Sequence, residues 1–362
     1  MPVPLTLFSR NAAEKSLRGH PIIVPKIQCS QKIAGGERMS GPRIVFLDGG
    51  TIREDIQWPD FSSLGEVVMY DQTLASETLE RVRDAEIIFT NKVRITAEHI
   101  SAARKLRFIG LLATGYNQVD CVTSAARGIP VCNVPDYGTE AVAQHAFALM
   151  CALLSHICWF SQSVRSGDWS KSAHFCYWDK PIVGMHGKTL GIVGFGNIGA
   201  AVARIGQGFG MNILAYNPRP KPALEYPAFA FTDLADLFRR SDIVSLHCPL
   251  APDNEGMVNA DLLRGMKKTA ILINCARGPL INEKDLLEAL EKGIIAGAGL
   301  DVVIQEPMPD DYPLRFAPNC IITPHVAWCT IESRTKLMRL VFENLKSFLG
   351  GKPINVCNGV QA

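Results

Sequence analysis

Three segments in the C-terminal half each set a chemically capable side chain at the end of an apolar run. They are Ile273-Asn-Cys-Ala-Arg277-Gly, Gly297-Ala-Gly-Leu-Asp301-Val-Val-Ile-Gln-Glu306-Pro307 and Ile322-Thr-Pro-His325-Val-Ala-Trp328. A guanidinium can fork across two oxygens of one anion, and an imidazole beside a carboxylate can hold or release a proton. Taken singly, each residue also has a structural explanation, as a turn arginine, a loop carboxylate or a hydrogen-bonding histidine. Their joint occurrence behind a nucleotide-binding turn points instead to a single site.

That turn is Lys188-Thr-Leu-Gly-Ile-Val-Gly-Phe-Gly-Asn-Ile-Gly199. Thr189 to Val193 reads as a buried strand, and the residues from Ala200 recur at helical spacing. Gly194 permits a tight turn, Gly196 lets a pyrophosphate approach, and Gly199 allows close packing of helix on strand, with Asn197 and Ile198 at the helix N-terminus. A ribose-binding carboxylate is expected about 20 residues further on. Here the second strand, Met211 to Tyr216, ends in Asn217-Pro-Arg219-Pro-Lys221, and no carboxylate occurs between Gly199 and Glu225. Asn217 can hydrogen-bond a ribose hydroxyl without repelling a 2′-phosphate, and Arg219 or Lys221 can pair with one. The choice between NAD and NADP therefore stays open.

The elements that must position these residues follow from the rest of the chain. Its 362 residues suggest two domains, and 47% hydrophobic and 20% charged residues describe an ordinary globular protein. The formal charge of +2 and the dispersed Lys and Arg exclude a nucleic-acid-binding surface. The longest apolar stretch, Ala141 to Phe160, is interrupted by Gln144, His145, Ser155 and His156, so it reads as a buried helix rather than a membrane span. The 11 cysteines form no CxxC pair or zinc-spaced cluster, which suggests reduced thiols in a cytoplasmic protein and no metal.

Residues 1–41 follow neither helical nor strand periodicity and read as a disordered extension. From Arg43, strands at Arg43–Asp48, Glu66–Tyr70, Glu86–Thr90, Phe108–Ala113 and Ile129–Val134 alternate with helices around Glu77, Ala97 and Val122. Such alternation predicts a parallel sheet covered on both faces, with ligands at the carboxyl-side loops Asn91-Lys92-Val93 and Thr114-Gly115-Tyr116-Asn117. A long helix, Thr139 to Arg165, then leads to the aromatic arm Gly167 to Pro181, which needs a second subunit or the other domain to cover it. The second sheet is read from strands at 189–193, 212–216, 242–247, 270–274, 295–299 and 320–322, and a last helix runs from Thr330 to Leu349. The fold class is thus α/β with two doubly wound parallel-sheet domains.

With these residues in place, the chain from about Arg43 to Asn358 resembles the D-isomer-specific 2-hydroxyacid dehydrogenases, especially their glycerate dehydrogenase (hydroxypyruvate reductase) branch. Ala113-Thr-Gly-Tyr-Asn-Gln-Val-Asp120, Phe175-Cys-Tyr-Trp-Asp-Lys-Pro181, His247-Cys-Pro-Leu250 and Lys352-Pro-Ile-Asn355 carry the resemblance to that branch. It implies a Rossmann dinucleotide-binding domain at 137–326 and a discontinuous flavodoxin-like substrate domain at 42–136 and 327–358. It also implies a homodimer built by the long helix and arm. By the same resemblance, Arg277 would hold the carboxylate and carbonyl of a small 2-oxo acid such as hydroxypyruvate or glyoxylate. His325 would exchange the proton, and Glu306 would be its partner. Lys92 and the backbone of Thr114, Gly115 and Tyr116 would contact the substrate. Gly194, Gly196, Asn197, Ile198, Gly199, Asn217, Arg219, His247, Cys248, Pro249, Cys275, Asp301 and His325 would meet the cofactor, NAD or NADP.

Departures from the family pattern sharpen the reading. Asn217 stands where NAD-using members usually carry Asp, and Gln144 where Glu is more frequent. Glu306 argues against formate dehydrogenase relatives, in which Gln is expected, and the short C-terminal remainder against phosphoglycerate dehydrogenases with regulatory domains. Reduction of a 2-oxo acid builds negative charge on the carbonyl oxygen, so a fixed guanidinium and a proton donor are both required. A carboxylate favours the charged form of a neighbouring imidazole, so Glu306 would keep His325 protonated for reduction, and oxidation should favour higher pH. The competing reading is a nucleotide-sensing, partner-recruiting protein resembling the C-terminal binding proteins.

Overall fold

A computed structural model describes residues 41–360 except Pro220, so the expected extension at 1–41 lies almost wholly outside the described residues. The chain divides into two compact units. The first holds the described residues up to Leu111, Asn117–Cys132 and the stretch from Phe342; the second holds Leu112–Tyr116 and Asn133–Val341.

In the first unit, strands β1 (Arg43–Phe46), β2 (Glu66–Met69), β3 (Ile87–Thr90), β4 (Phe108–Leu111) and β5 (Val131–Cys132) form a parallel sheet in the order β2-β1-β3-β4-β5. That is the flavodoxin-like order. Helices α1 (Ala75–Val82), α2 (Ala97–Ala102) and α3 (Cys121–Ala126) connect the strands. Both β3 and β4 are buried along their whole length, which explains their unbroken apolar sequences. Phe46 stacks on Phe89 at 4.6 Å, and Phe342 and Phe348 from the C-terminal stretch pack on Phe61 and Phe108. Cys357 N–H donates to Val131 O, tying the end of the chain to β5.

The second unit contains helices α4 (Thr139–Ser155) and α5 (Ile157–Arg165), then strand β6 (Thr189–Val193), helix α6 (Asn197–Gly208) and strands β7 (Asn212–Tyr216) and β8 (Phe229–Phe231). Helix α7 (Leu234–Arg240), β9 (Ile243–Leu246), α8 (Ala260–Gly265), β10 (Ile271–Asn274), α9 (Glu283–Glu291), β11 (Gly297–Leu300) and β12 (Cys320–Ile322) complete its alternation. Helix α10 (Ile331–Leu349) begins here and supplies Phe342 and Phe348 to the first unit. The seven parallel strands run β12-β11-β10-β9-β6-β7-β8, so the order reverses between β6 and β9, the Rossmann arrangement.

Two local expectations are corrected. The long helix breaks at His156, whose φ of 48° ends α4, and α5 departs at 56°. Strand β8 was not anticipated: it has three residues, and Ala230 and Phe231 are exposed, so it carries no buried apolar run. Among the described residues no single helix is long and apolar enough to cross a membrane, and α4 is buried in the core of its unit.

Candidate functional site

The nucleotide turn lies at the carboxyl end of β6, beside the reversal of strand order. Gly194 has φ +95°, and a Cβ there would fall 2.5 Å from Cys248 N, so the turn tolerates no side chain. At Gly199 a Cβ would collide with Gly194 O, whereas at Gly196 it would meet nothing within 4 Å among the described residues. Helix α6 starts at Asn197 without a side-chain cap, which leaves its N-terminal dipole facing that open space. His247 Nδ1, in the loop after β9, is buried and has no hydrogen-bond partner among the described residues, while Nε2 lies 2.8 Å from Ser245 Oγ. Open space at the glycine turn, an uncapped helix and an orphaned ring nitrogen together fit a dinucleotide.

Neighbouring residues are already engaged. Asn217 Oδ1 accepts from Phe195 N–H at 3.0 Å and its Nδ2 donates to Arg219 O at 2.7 Å, so this side chain shapes the turn. Asn197 Nδ2 donates to Asp136 at 2.6 Å. Arg219 and Pro249 are exposed. Burial pushes the Cys248 thiol up to about 11 and raises that of Cys275, the latter with help from the Asp301 carboxylate. Both therefore remain protonated and offer packing rather than thiolate chemistry.

Arg277 follows β10 and is held from behind. Buried Asn274 donates through Nδ2 to Arg277 O at 2.8 Å and accepts from Ala276 N–H at 3.0 Å. Its guanidinium reaches the Thr114–Tyr116 segment: a Cβ on Gly115 would stand 2.7 Å from Nη2. Thr114 is tethered by its hydroxyl to Val134 O at 2.7 Å, and its carbonyl accepts from Asn133 Nδ2 at 2.7 Å.

His325 has φ +55°, a conformation unusual for a residue with a Cβ. Its N–H is shared between Asp301 O and Thr323 O, each at 2.9 Å, and its carbonyl accepts from Trp328 Nε1 at 3.0 Å. Its Nδ1 lies 2.6 Å from Glu306 Oε2, and Glu306 Oε1 accepts from Val303 N–H at 3.3 Å. Because a carboxylate only accepts, Nδ1 carries the proton of that bond, and Nε2 is the nitrogen left for exchange with a bound molecule.

Supporting residues complete the site: the sequence reading named Asp301 only as a cofactor contact, and it missed His145 and Tyr137. The Asp301 carboxylate, 1% exposed, accepts from Thr323 Oγ1 at 2.6 Å, Val326 N–H at 2.9 Å and Ala327 N–H at 2.8 Å, so it organises the loop bearing His325. His145 of α4 backs this cluster, 2.9 Å from Thr323 Oγ1 and 3.4 Å from Asp301 Oδ1. Tyr137, 7% exposed, links the two halves: its phenol feels the Arg277 charge, and its ring packs edge-on against Trp328. A Tyr-Gly pair just before a helix resembles any turn, so only Asp301, at a strand end, carried a readable signal.

Lys92 belongs to the first unit, where it is exposed beside buried Asn91 at the end of β3. Among the described residues no group of three or more His, Cys, Asp or Glu side chains is placed to hold a metal ion.

Comparison with known proteins places these features in context. Residues 147–327 match the family model of the D-isomer specific 2-hydroxyacid dehydrogenase NAD binding domain. The chain is 44% identical over 320 residues to a hydroxypyruvate reductase of Blautia hydrogenotrophica, covering 87% of this chain and 99% of the relative. It is 40% identical to a glycerate dehydrogenase of Methylorubrum extorquens, covering 87% and 98%. The solved NADPH-dependent glyoxylate/hydroxypyruvate reductase of Sinorhizobium meliloti, in complex with NADP and malonate, superposes with a TM-score of 0.75. It shares 29% identity, over 89% of this chain and 98% of that one.

Proposed function

The chain belongs to the D-isomer-specific 2-hydroxyacid dehydrogenase family and is an NAD(P)-dependent oxidoreductase. On that premise we propose that it reduces hydroxypyruvate to D-glycerate or glyoxylate to glycolate. The pairing of His325 Nδ1 with Glu306 at 2.6 Å carries this reading, since it leaves an imidazole able to deliver a proton from Nε2.

A bound nicotinamide would supply the hydride. Arg277 binds the substrate carboxylate and the carbonyl oxygen, for which a planar fork suits better than an ammonium. Backbone groups of Thr114, Gly115 and Tyr116 and the side chain of Lys92 complete the grip on the small anion. His325 gives its proton to the carbonyl oxygen, and Glu306 holds the ring through Nδ1 so that Nε2 is the exchanging nitrogen. In the oxidative direction the neutral imidazole takes the proton back.

Gly194, Gly196, Asn197, Ile198 and Gly199 would hold the cofactor, with Asn217, His247, Cys248, Pro249, Cys275 and Asp301 as further contacts. NADPH is favoured over NADH, because no carboxylate stands at position 217 to repel a 2′-phosphate and Arg219 is available to pair with one. The enzyme works as a homodimer, a reading supported by the exposed aromatics of α5 and the arm: Trp159, Trp169, Phe175 at 90% and Trp178 at 68%; the 11 cysteines without a CxxC pair favour the cytoplasm. Sedimentation of the wild type against a Phe175→Ser, Trp178→Ser double variant tests the dimer. A monomeric wild type would remove it.

Initial rates on hydroxypyruvate, glyoxylate and pyruvate, each with NADH and NADPH, test the function. Turnover on the first two with NADPH is expected. Negligible turnover with cofactor demonstrably bound would favour the partner-recruiting alternative.

A further inference from the structure

Asp48 lies just past β1 and is 3% exposed. Its Oδ1 accepts from Asn91 N–H at 2.8 Å, and its Oδ2 accepts from Lys92 N–H at 2.6 Å and Val93 N–H at 3.2 Å. Consecutive amides converging on one carboxylate form an anion nest, filled here by the chain itself. Bonds from backbone N–H to an ionised acceptor are among the stronger protein hydrogen bonds, so the nest holds its segment firmly.

The surrounding contacts extend the same clamp. Asn91 Nδ2 donates to Thr51 Oγ1 at 3.0 Å, Thr51 Oγ1 donates to Asp48 O at 2.9 Å, and Gln118 Nε2 donates to Asn91 O at 2.9 Å. Thr90 Oγ1 donates to Val93 O at 3.1 Å. Residues 91–93 belong to no helix or strand, so these bonds do the work that a regular ladder does elsewhere. The result is a backbone pinned on both sides of Lys92 while its side chain stays exposed. Burying a carboxylate costs free energy unless it is well satisfied, and a surface loop without a task would not require one.

We propose that Asp48 is a positioning residue for substrate binding, holding residues 91–93 in the shape in which Lys92 meets the 2-oxo acid. The proposal rests on the reading above that the Lys92 loop contacts the substrate. It assigns to Asp48 no part in proton transfer or cofactor binding. An Asp48→Asn change keeps the shape of the side chain but turns an NH2 donor toward N–H donors, which loosens the segment.

The test measures kcat and KM for glyoxylate at saturating NADPH, with amide hydrogen exchange of the 91–93 segment. In Asp48→Asn, KM should rise roughly ten- to a hundred-fold with kcat within about three-fold, as expected for lost positioning of a binding group. Exchange at 91–93 should accelerate while β1 and β3 stay protected. Val45→Ala, which weakens the same sheet without touching the nest, should lower thermal stability and leave KM unchanged. If Asp48→Asn does not fold, Thr51→Val removes the partner of Asn91 and should raise KM in the same direction by a smaller factor. Lys92→Ala separates the two layers of the argument. An unchanged KM in Lys92→Ala overturns the substrate role of the loop and the proposal with it. A raised KM there, together with an unchanged KM in folded Asp48→Asn, overturns the proposal alone, as does an equal KM rise in Val45→Ala.

Discussion

The two units use one device for different ends. In each, an aspartate beyond a buried parallel strand gathers the backbone of a neighbouring loop: Asp48 takes N–H groups of Asn91, Lys92 and Val93, and Asp301 those of Val326 and Ala327 with the hydroxyl of Thr323. In the first unit the held loop presents an exposed lysine with its backbone pinned. In the second it presents His325 at φ +55°, with the ring itself fixed by Glu306 at 2.6 Å. A group that exchanges a proton needs its ring held as well as its backbone, and both are held at His325. Asp301 also has His145 and Thr323 behind it, so its loop is supported through two layers of side chains.

Changes in the second unit should therefore strike turnover, and changes in the first should strike KM. The largest effect is expected from His325→Ala, a fall in kcat of roughly 10²–10⁴-fold, with cofactor affinity by fluorescence titration retained. Unaltered turnover would remove His325 from the chemistry.

The next effect concerns stability and should be confined to the second unit. Burial pushes the His247 imidazole down to about 4, against 6.5 in an unfolded chain. Between those values the unfolded chain binds a proton that the folded one does not, so stability falls as pH drops from about 6.5 to about 4 and changes no further on this account below it. The loss amounts to at most ~3 kcal/mol. Urea titrations at several pH values should show this slope and lose it in His247→Gln, with hydrogen exchange rising in the Rossmann sheet before the flavodoxin-like one.

A smaller loss, about ten-fold in kcat/KM, is expected for Gly115→Ala, because the new Cβ would displace the Arg277 guanidinium. Steady-state kinetics with glyoxylate would measure it, and a wild-type value would show that Arg277 does not lean on this segment when substrate binds. The least effect on total activity is expected from Asn217→Asp. It retains the acceptor for Phe195 N–H but adds charge, and should shift the NADPH/NADH ratio of kcat/KM toward NADH by a few-fold to about ten-fold.

Much of this architecture was legible in the chain because buried parallel strands read as continuous apolar runs: Ile87-Ile-Phe-Thr90 and Ile271-Leu-Ile-Asn274 are buried throughout. The nucleotide turn was legible because glycine spacing answers to local backbone geometry. Strand β8 escaped because its outer residues face solvent, and the break at His156 because no Gly or Pro marks it and the apolar pattern continues on both sides. Arg277, Glu306 and His325 stood out by type and by position after strands. Asp48, Tyr137 and His145 did not, since an aspartate after a strand, a tyrosine before a helix and a histidine within one each have ordinary uses.

Residue order alone thus marked the buried strands, the place of the dinucleotide turn and the side chains whose chemistry suits proton transfer, since periodicity and residue chemistry act over a few neighbouring positions. Only the folded chain decided which backbone amides each buried aspartate would meet, that the imidazole would lie against Glu306 through Nδ1, and that Gly115 would yield its space to Arg277. Those partners are separated by 19 to 162 residues. Hydrogen bonds and close approaches depend on ångström-scale placement, and across such separations that placement is set by how the sheets and loops pack.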